Sequence, residues 1–200
     1  MDAAAVSAGH GVDGRDAGQQ RGGGSTSGRG RCRIGDMIRV QQEDFDVGAE
    51  LERLTAGRRD IGGVASFVGL VREFVSAPGA AAGAGEHPIT AMTLEHYPGM
   101  TEKKLAEIEA EAQRRWPLAT VLIIHRYGRL EPGERIVLVA TASAHRQAAL
   151  DSCAFLIDWL KTQAPFWKLE ETLAGAAWVE ARDSDDAAAA RWRAKREVAK

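Results

Sequence analysis

Apolar and polar residues change rhythm several times along this chain, and each change marks an element. Residues 1–36 carry no period: Gly, Ala, Ser and Arg dominate, and few apolar residues larger than alanine occur. That composition predicts disorder, because it buries too little surface to offset chain entropy. From Met37 the pattern sharpens. Ile38–Val40 reads as a short strand, and Phe45–Leu54 as a helix with Val47, Leu51 and Leu54 at helical spacing. Gly57 and Gly62-Gly63 end that helix. Val64–Val68, extended by Leu70 and Val71, reads as a buried strand that delivers Arg72. Ser76–Pro88 is rich in Ala and Gly, the signature of a flexible insertion. Ile89–Leu94 alternates as a strand does. Thr101–Trp116 places Leu105, Ile108, Ala112 and Trp116 on one face, an amphipathic helix stopped by Pro117. Val121–Ile124 and Ile136–Ala140 are short apolar runs, read as buried strands around a turn-rich Tyr127–Glu134. Arg146–Ala164 is a long helix. Phe166–Glu170 and Ala176–Glu180 form two strands around Gly175, and Asp183 opens an alanine-rich helix with acids at its positive end. The order β-α-β-β-α-β-β-α-β-β-α lacks strict βαβ alternation. It predicts an α+β fold, a mixed or antiparallel sheet with packed helices, in one domain over residues 37–200.

Composition narrows the function more by exclusion than by assertion. With 200 residues and 44% apolar content, the chain can build a real core. A net charge of -2 exerts no global pull on nucleic acid or anionic membrane, so any anion site is a local cluster. No stretch is long and apolar enough to span a bilayer, and the N-terminus has no apolar signal core. Arginines in the first segment would suit a transit peptide, but Asp2, Asp13, Asp16 and Asp36 do not. That segment reads as a tail or as an extension upstream of a start at Met37. Cys32 and Cys153 form no C-x-x-C and no zinc spacing, and Cys153 reads as a small buried hydrophobe. The histidines are scattered, and no strand-to-helix Gly-x-Gly-x-x-Gly or Walker pattern occurs. A reduced cytoplasmic protein, with no metal and no cofactor, is expected.

Three clusters carry candidate chemistry. In Lys161-Thr-Gln-Ala-Pro-Phe-Trp-Lys168-Leu-Glu170, two lysines flank a rigid aromatic turn and a glutamate follows. A lysine beside apolar bulk loses solvation, and its amine can then serve as acid, base or nucleophile near neutral pH. The plainer alternative is a helix end and a strand edge with solvated lysines. Ala144-His145-Arg146 opens the long helix, where backbone N–H groups already favour anions. Arg72, at a strand end, and Arg182, in Val179-Glu-Ala-Arg182, are further anion-gripping candidates. Glu95, His96, His125 and Arg126 read as structural, with Tyr97 a structural turn tyrosine. His145 and Lys161 stand 16 residues apart on one predicted helix, about 24 Å at about 1.5 Å per residue. One small ligand cannot touch both. Either there are two sites, or self-association around a two-fold axis brings opposite ends of equivalent helices together. The second is the expectation: a homodimeric core with a shared site.

Taken together, these motifs resemble a known family. Ser143-Ala-His145-Arg146, then Ile157-Asp-Trp-Leu-Lys161 through Lys168-Leu-Glu170, then Trp178-Val-Glu-Ala-Arg182, are similar to the catalytic (large) subunit of molybdopterin synthase. Gly63–Arg72, Leu94–Met100 and His125–Leu130 fit the same family in the same order, so the likeness covers about Met37 to Trp192. The resemblance implies a sulfurtransferase that converts a cyclic pyranopterin monophosphate into molybdopterin by installing a dithiolene. It implies a ubiquitin-like small subunit whose C-terminal Gly thiocarboxylate supplies sulfur, and a homodimer within a heterotetramer. By position, Lys161 and Lys168 match the essential lysines. Lys161 is implied in proton transfer at the thiocarboxylate, and Lys168 in holding the pterin intermediate. Arg72, His145, Arg146 and Arg182 match the anion-binding set, and Glu170 a residue that orients Lys168. The first segment and the Ala/Gly insertion at 77–85 depart from the family pattern. A binding module that holds a phosphorylated molecule or an extended tail without chemistry is the competing reading, and RNA binding suits neither the charge nor the scattered tryptophans.

Overall fold

The computed structural model describes residues 37–75, 87–179 and 183–194. Its elements are β1 (Ile38–Gln41), α1 (Val47–Thr55), β2 (Gly63–Leu70), β3 (Phe74–Val75), β4 (His87–His96), α2 (Met100–Arg115), β5 (Leu118–Arg126), β6 (Gly128–Leu130), β7 (Arg135–Ser143), α3 (Arg146–Gln163), β8 (Phe166–Thr172), β9 (Gly175–Trp178) and α4 (Asp183–Ala194). The expected tail over residues 1–36, and residues 76–86 of the expected insertion, lie outside the described residues. His87 and Pro88, read as the insertion's end, instead begin β4 and pair with Val75 and Phe74.

Two sheets form, and the class is α+β. The first is four-stranded in the order β1-β5-β7-β2, with β1 parallel to β5 and the other pairs antiparallel. The second is antiparallel, in the order β3-β4-β8-β9, with β6 also on β4. β5 and β7 are buried along most of their length, which explains their uninterrupted apolar runs. Alternation sorts their side chains. Val121, Ile123 and Val139 face Leu105, Ile108, Phe155 and Leu156 on one side. Leu122, Ile124, Leu138 and Ala140 face Phe45 and Leu54 on the other. Phe155, fully buried, sits at the centre of an aromatic cluster with Trp116, Trp159 and Trp192. Asp158 accepts from Arg191 and from Trp192 Nε1, each at 2.6 Å, and so fastens α4 to α3.

Several boundaries differ from the sequence reading for local reasons. Asp46 caps α1, accepting from the Ala49 N–H at 2.8 Å, so Phe45 precedes the helix and enters the core. β3 and β6 were not expected. Each is two or three residues long and is defined by its partner β4 rather than by its own period. Tyr97, read as a structural tyrosine, is exposed. No helix among the described residues is long and apolar enough to cross a membrane.

Gly62 and Gly63 let β2 begin hard against the turn between β7 and α3. A Cβ on Gly62 would lie 2.2 Å from the Ala144 carbonyl oxygen, whereas one on Gly63 would meet Arg146 Cα at an ordinary 3.6 Å. Backbone cannot yield as a side-chain tip does. Gly62→Ala is therefore expected to cost about 2 kcal/mol or more, and Gly63→Ala well under half of that. Urea unfolding of the two variants checks the difference, and equal stabilities would show that the turn adjusts freely.

Candidate active site

The position of α3 over the first sheet decides which candidates can meet. Thr141 Oγ1 donates to Ala149 O at 2.7 Å, and Cys153 Sγ lies 3.9 Å from Val139 O. The helix therefore runs back along β7 in the opposite direction. Eight residues beyond Cys153, about 12 Å at the helical rise, lies Lys161. Four residues back from Val139, about 13 Å along a strand, lies Arg135. Arg135 pairs with Leu70, and Val137 with both Gly69 and His125. Lys161, the Arg72 end of β2 and the His125 end of β5 thus share one end of the sheet. At the other end, Ser143 pairs with Gly63, and His145 caps α3 ahead of Arg146. Ser143 holds that turn: its hydroxyl donates to Pro117 O at 2.8 Å and accepts from the His145 N–H at 3.3 Å.

A tight turn carries the chain from Lys161 to Lys168. The Ala164 N–H closes the helix on Leu160 O, and the Phe166 N–H returns to Ala164 O at 2.9 Å. Along β8, Phe166, Lys168 and Glu170 then fall on one face and Trp167 on the other. Their cross-strand neighbours are His96, Leu94 and Met92. Leu94 is almost completely buried, and Lys168 stands half-buried beside it. Lys161 differs: in the single chain it is exposed, because the helix ends at the surface there. Arg72, His145 and Arg146 are exposed too, Glu170 is half-buried, and Arg182 lies outside the described residues. One chain brings Lys161, Lys168, Glu170 and Arg72 toward one end and leaves His145 and Arg146 at the other.

The structure adds His96 and His125, which the sequence reading set aside as structural. The His125 ring stacks on Phe166, with centroids 3.6 Å apart and planes 14° from parallel. Its Nδ1 lies 2.8 Å from the Arg126 carbonyl oxygen. Burial, with Lys168 and His96 nearby, holds its pKa down at about 4, so the ring is neutral at ordinary pH. His96 packs against Tyr127 at 4.4 Å and Phe166 at 6.2 Å. Arg126, next in sequence to His125, faces the opposite side of the sheet. There it donates to Gln42 O, Arg135 O and Glu134 Oε1, a structural role as expected. No sequence signal marks His125, since its partner Phe166 lies on a strand of the other sheet.

Comparison with known proteins places this arrangement. Residues 40–163 match the family model described as MoaE protein. A curated relative from Pseudomonas aeruginosa, named molybdopterin synthase catalytic subunit, is 57% identical over 155 residues, covering 78% of this chain and 97% of its own. A solved structure titled molybdopterin biosynthesis MoaE protein, from Burkholderia ambifaria, superposes with a TM-score of 0.64 at 52% identity, over 78% of this chain and 97% of that one. At fold level only, with 18% identity and a TM-score of 0.57, the chain is similar over 73% of its length to 92% of a chain from a Helicobacter pylori structure. That structure is titled as a complex of subunits 1 and 2 of molybdopterin-converting factor. With most of its length matched at this level, the chain belongs to the MoaE family, which holds the catalytic subunits of molybdopterin synthase.

Proposed function

We propose that this chain is a sulfurtransferase that converts a cyclic pyranopterin monophosphate into molybdopterin. In this reading it takes sulfur from the C-terminal Gly thiocarboxylate of a ubiquitin-like small subunit. The observation that carries the proposal is the gathering of Lys161, Lys168 and Glu170 around the Ala164–Pro165 turn, at the same sheet end as Arg72. A phosphate-binding module needs cations but not two amines bracketing a stacked aromatic turn. The relatives' name, molybdopterin synthase catalytic subunit, supports the same reaction, and the two-subunit title of the Helicobacter pylori structure supports a small-subunit partner.

Each group has a defined task. Lys161 delivers and removes protons where the thiocarboxylate sulfur attacks. Lys168, beside Leu94, holds developing negative charge on the pterin intermediate more strongly than it would in open water. Glu170 orients Lys168 along the same strand face, and Arg72, His145, Arg146 and Arg182 seat the phosphate and pterin. His145 and Arg146 reach the lysines through a second copy of the chain, in a homodimer at the centre of a heterotetramer. Edge strand β2 supports this pairing, since it exposes Val64, Phe67 and Leu70, apolar surface that a second copy would cover. Residues 37–200 act as one catalytic domain, and the free buried thiol of Cys153 suits the reducing cytoplasm.

Lys161→Ala tests the assignment. With the thiocarboxylated partner and the pyranopterin supplied, the variant is expected to lose dithiolene product by roughly 100-fold or more, as measured by mass spectrometry. Affinity for the partner's tail should stay within a few fold. Near-normal product would end the claim, and a wild-type chain that binds both components without turnover would leave only a binding module.

A further inference from the structure

Arg72 lies on irregular backbone between β2 and β3 with its side chain exposed, yet the chain on both sides of it is pinned. Val71, just before it, is 2% exposed and packs with Met92, Leu94 and Leu130. One turn takes both Val71 backbone groups: the N–H donates to Glu134 O, and the carbonyl accepts from the Gly133 N–H, each at 2.9 Å. Just after Arg72, the Glu73 carbonyl accepts from the Ile89 N–H at 2.7 Å. Arg72 is thus a single residue between two anchors.

The turn that grips Val71 is Glu131-Pro132-Gly133-Glu134. The Glu134 N–H donates back to Glu131 O at 3.0 Å, and Gly133 holds φ at 87°, as the third position of a type II turn requires. The Glu134 carboxylate closes the turn a second time. Its Oε2 accepts from the Glu131 N–H at 2.6 Å, and its Oε1 accepts from Arg126 Nη1 at 3.3 Å. Arg126 is anchored in turn, donating to Gln42 O at 2.9 Å and to Arg135 O at 3.0 Å. The side chain of Glu134 therefore ties the turn to the buried end of β5, while its backbone ties the turn to Val71.

We propose that Glu134 is a positioning residue for Arg72: its carboxylate clamps the 131–134 turn to Arg126, so that the Val71 backbone, and with it the base of Arg72, is set before an anion arrives. This assignment rests on Arg72 belonging to the seat of the substrate phosphate. A guanidinium on loose backbone must order the chain as well as its own torsions when it grips a phosphate. With its base already fixed, only the side chain remains to be ordered, and affinity rises without any added contact. Glu131 supplies the control, since its carboxylate pairs with Arg129 at 3.3 Å whereas its backbone serves the turn.

Backbone ¹⁵N relaxation of the full chain tests the clamp in wild type, Glu134→Ala and Glu131→Ala. The order parameter of the Arg72 amide is expected to fall from about 0.85 to below about 0.6 in Glu134→Ala and to keep its wild-type value in Glu131→Ala. Binding is then read by equilibrium dialysis against the pyranopterin monophosphate with no sulfur donor present. Glu134→Ala should weaken it roughly five-fold and Arg72→Ala roughly 20-fold, and the double variant should lose no more than Arg72→Ala, because Glu134 acts only through Arg72. An unchanged Arg72 order parameter in Glu134→Ala, or a double variant weakened by the product of the two factors, would overturn the proposal and leave the sulfurtransferase reading intact. Arg72→Ala that binds as tightly as wild type would overturn it by removing Arg72 from the anion seat, and would count against that part of the reading as well. On unaltered protein the Val71 amide is expected to exchange slowly with solvent, and exchange at the rate of an unprotected peptide would overturn the clamp even if a variant fails to fold.

Discussion

An α-helix cannot bring its own two ends together, and that constraint organises the site. α3 runs without a break from Arg146 to Gln163, 18 residues or about 27 Å. Its seat along β7 is fixed by buried contacts from Ala149 and Cys153, and its inner face is filled by Phe155, Leu156 and Leu160. Bending it would break a close-packed core. His145 and Arg146 are therefore held at one end of the sheet and Lys161 at the other. In the proposed reading a second chain closes that gap, and the dimer becomes a condition of catalysis.

Strand alternation is the second organising device. On β5, Ile123 and His125 point toward the α3 side, whereas Ile124 and Arg126 point toward the α1 side. Two adjacent polar residues thereby do unrelated jobs. Arg126 ties Gln42, Glu134 and Arg135 together on the scaffold side. His125 meets Phe166 and the neighbourhood of Lys168. The same alternation on β8 turns Phe166, Lys168 and Glu170 inward as a set and leaves Trp167 outside.

Most of the fold could be read from the sequence because its elements are long or strongly patterned. The buried runs of β5 and β7, the apolar stripe of α2 and the uninterrupted α3 each carry their own period. β3 and β6 do not, since a strand of two or three residues exists only through its partner. Lys161 and Lys168 stood out through the Pro165-Phe166-Trp167 turn between them. The surface position of Lys161 did not, because exposure at a helix end depends on what else packs there. His125 looked ordinary for a similar reason: its significance lies in a stack between two sheets, and local sequence carries no trace of such a contact.

The shared site is tested most directly by mixing two defective chains. Lys161→Ala and His145→Ala subunits, each nearly inactive alone, are co-expressed and assembled with the thiocarboxylated partner. If every site takes its lysines from one chain and its His145-Arg146 from the other, each mixed dimer holds one intact site. Random pairing should then restore roughly a quarter of wild-type product formation. Activity that stays at the average of the two parents would contradict the account, because it would mean that each chain builds its site alone.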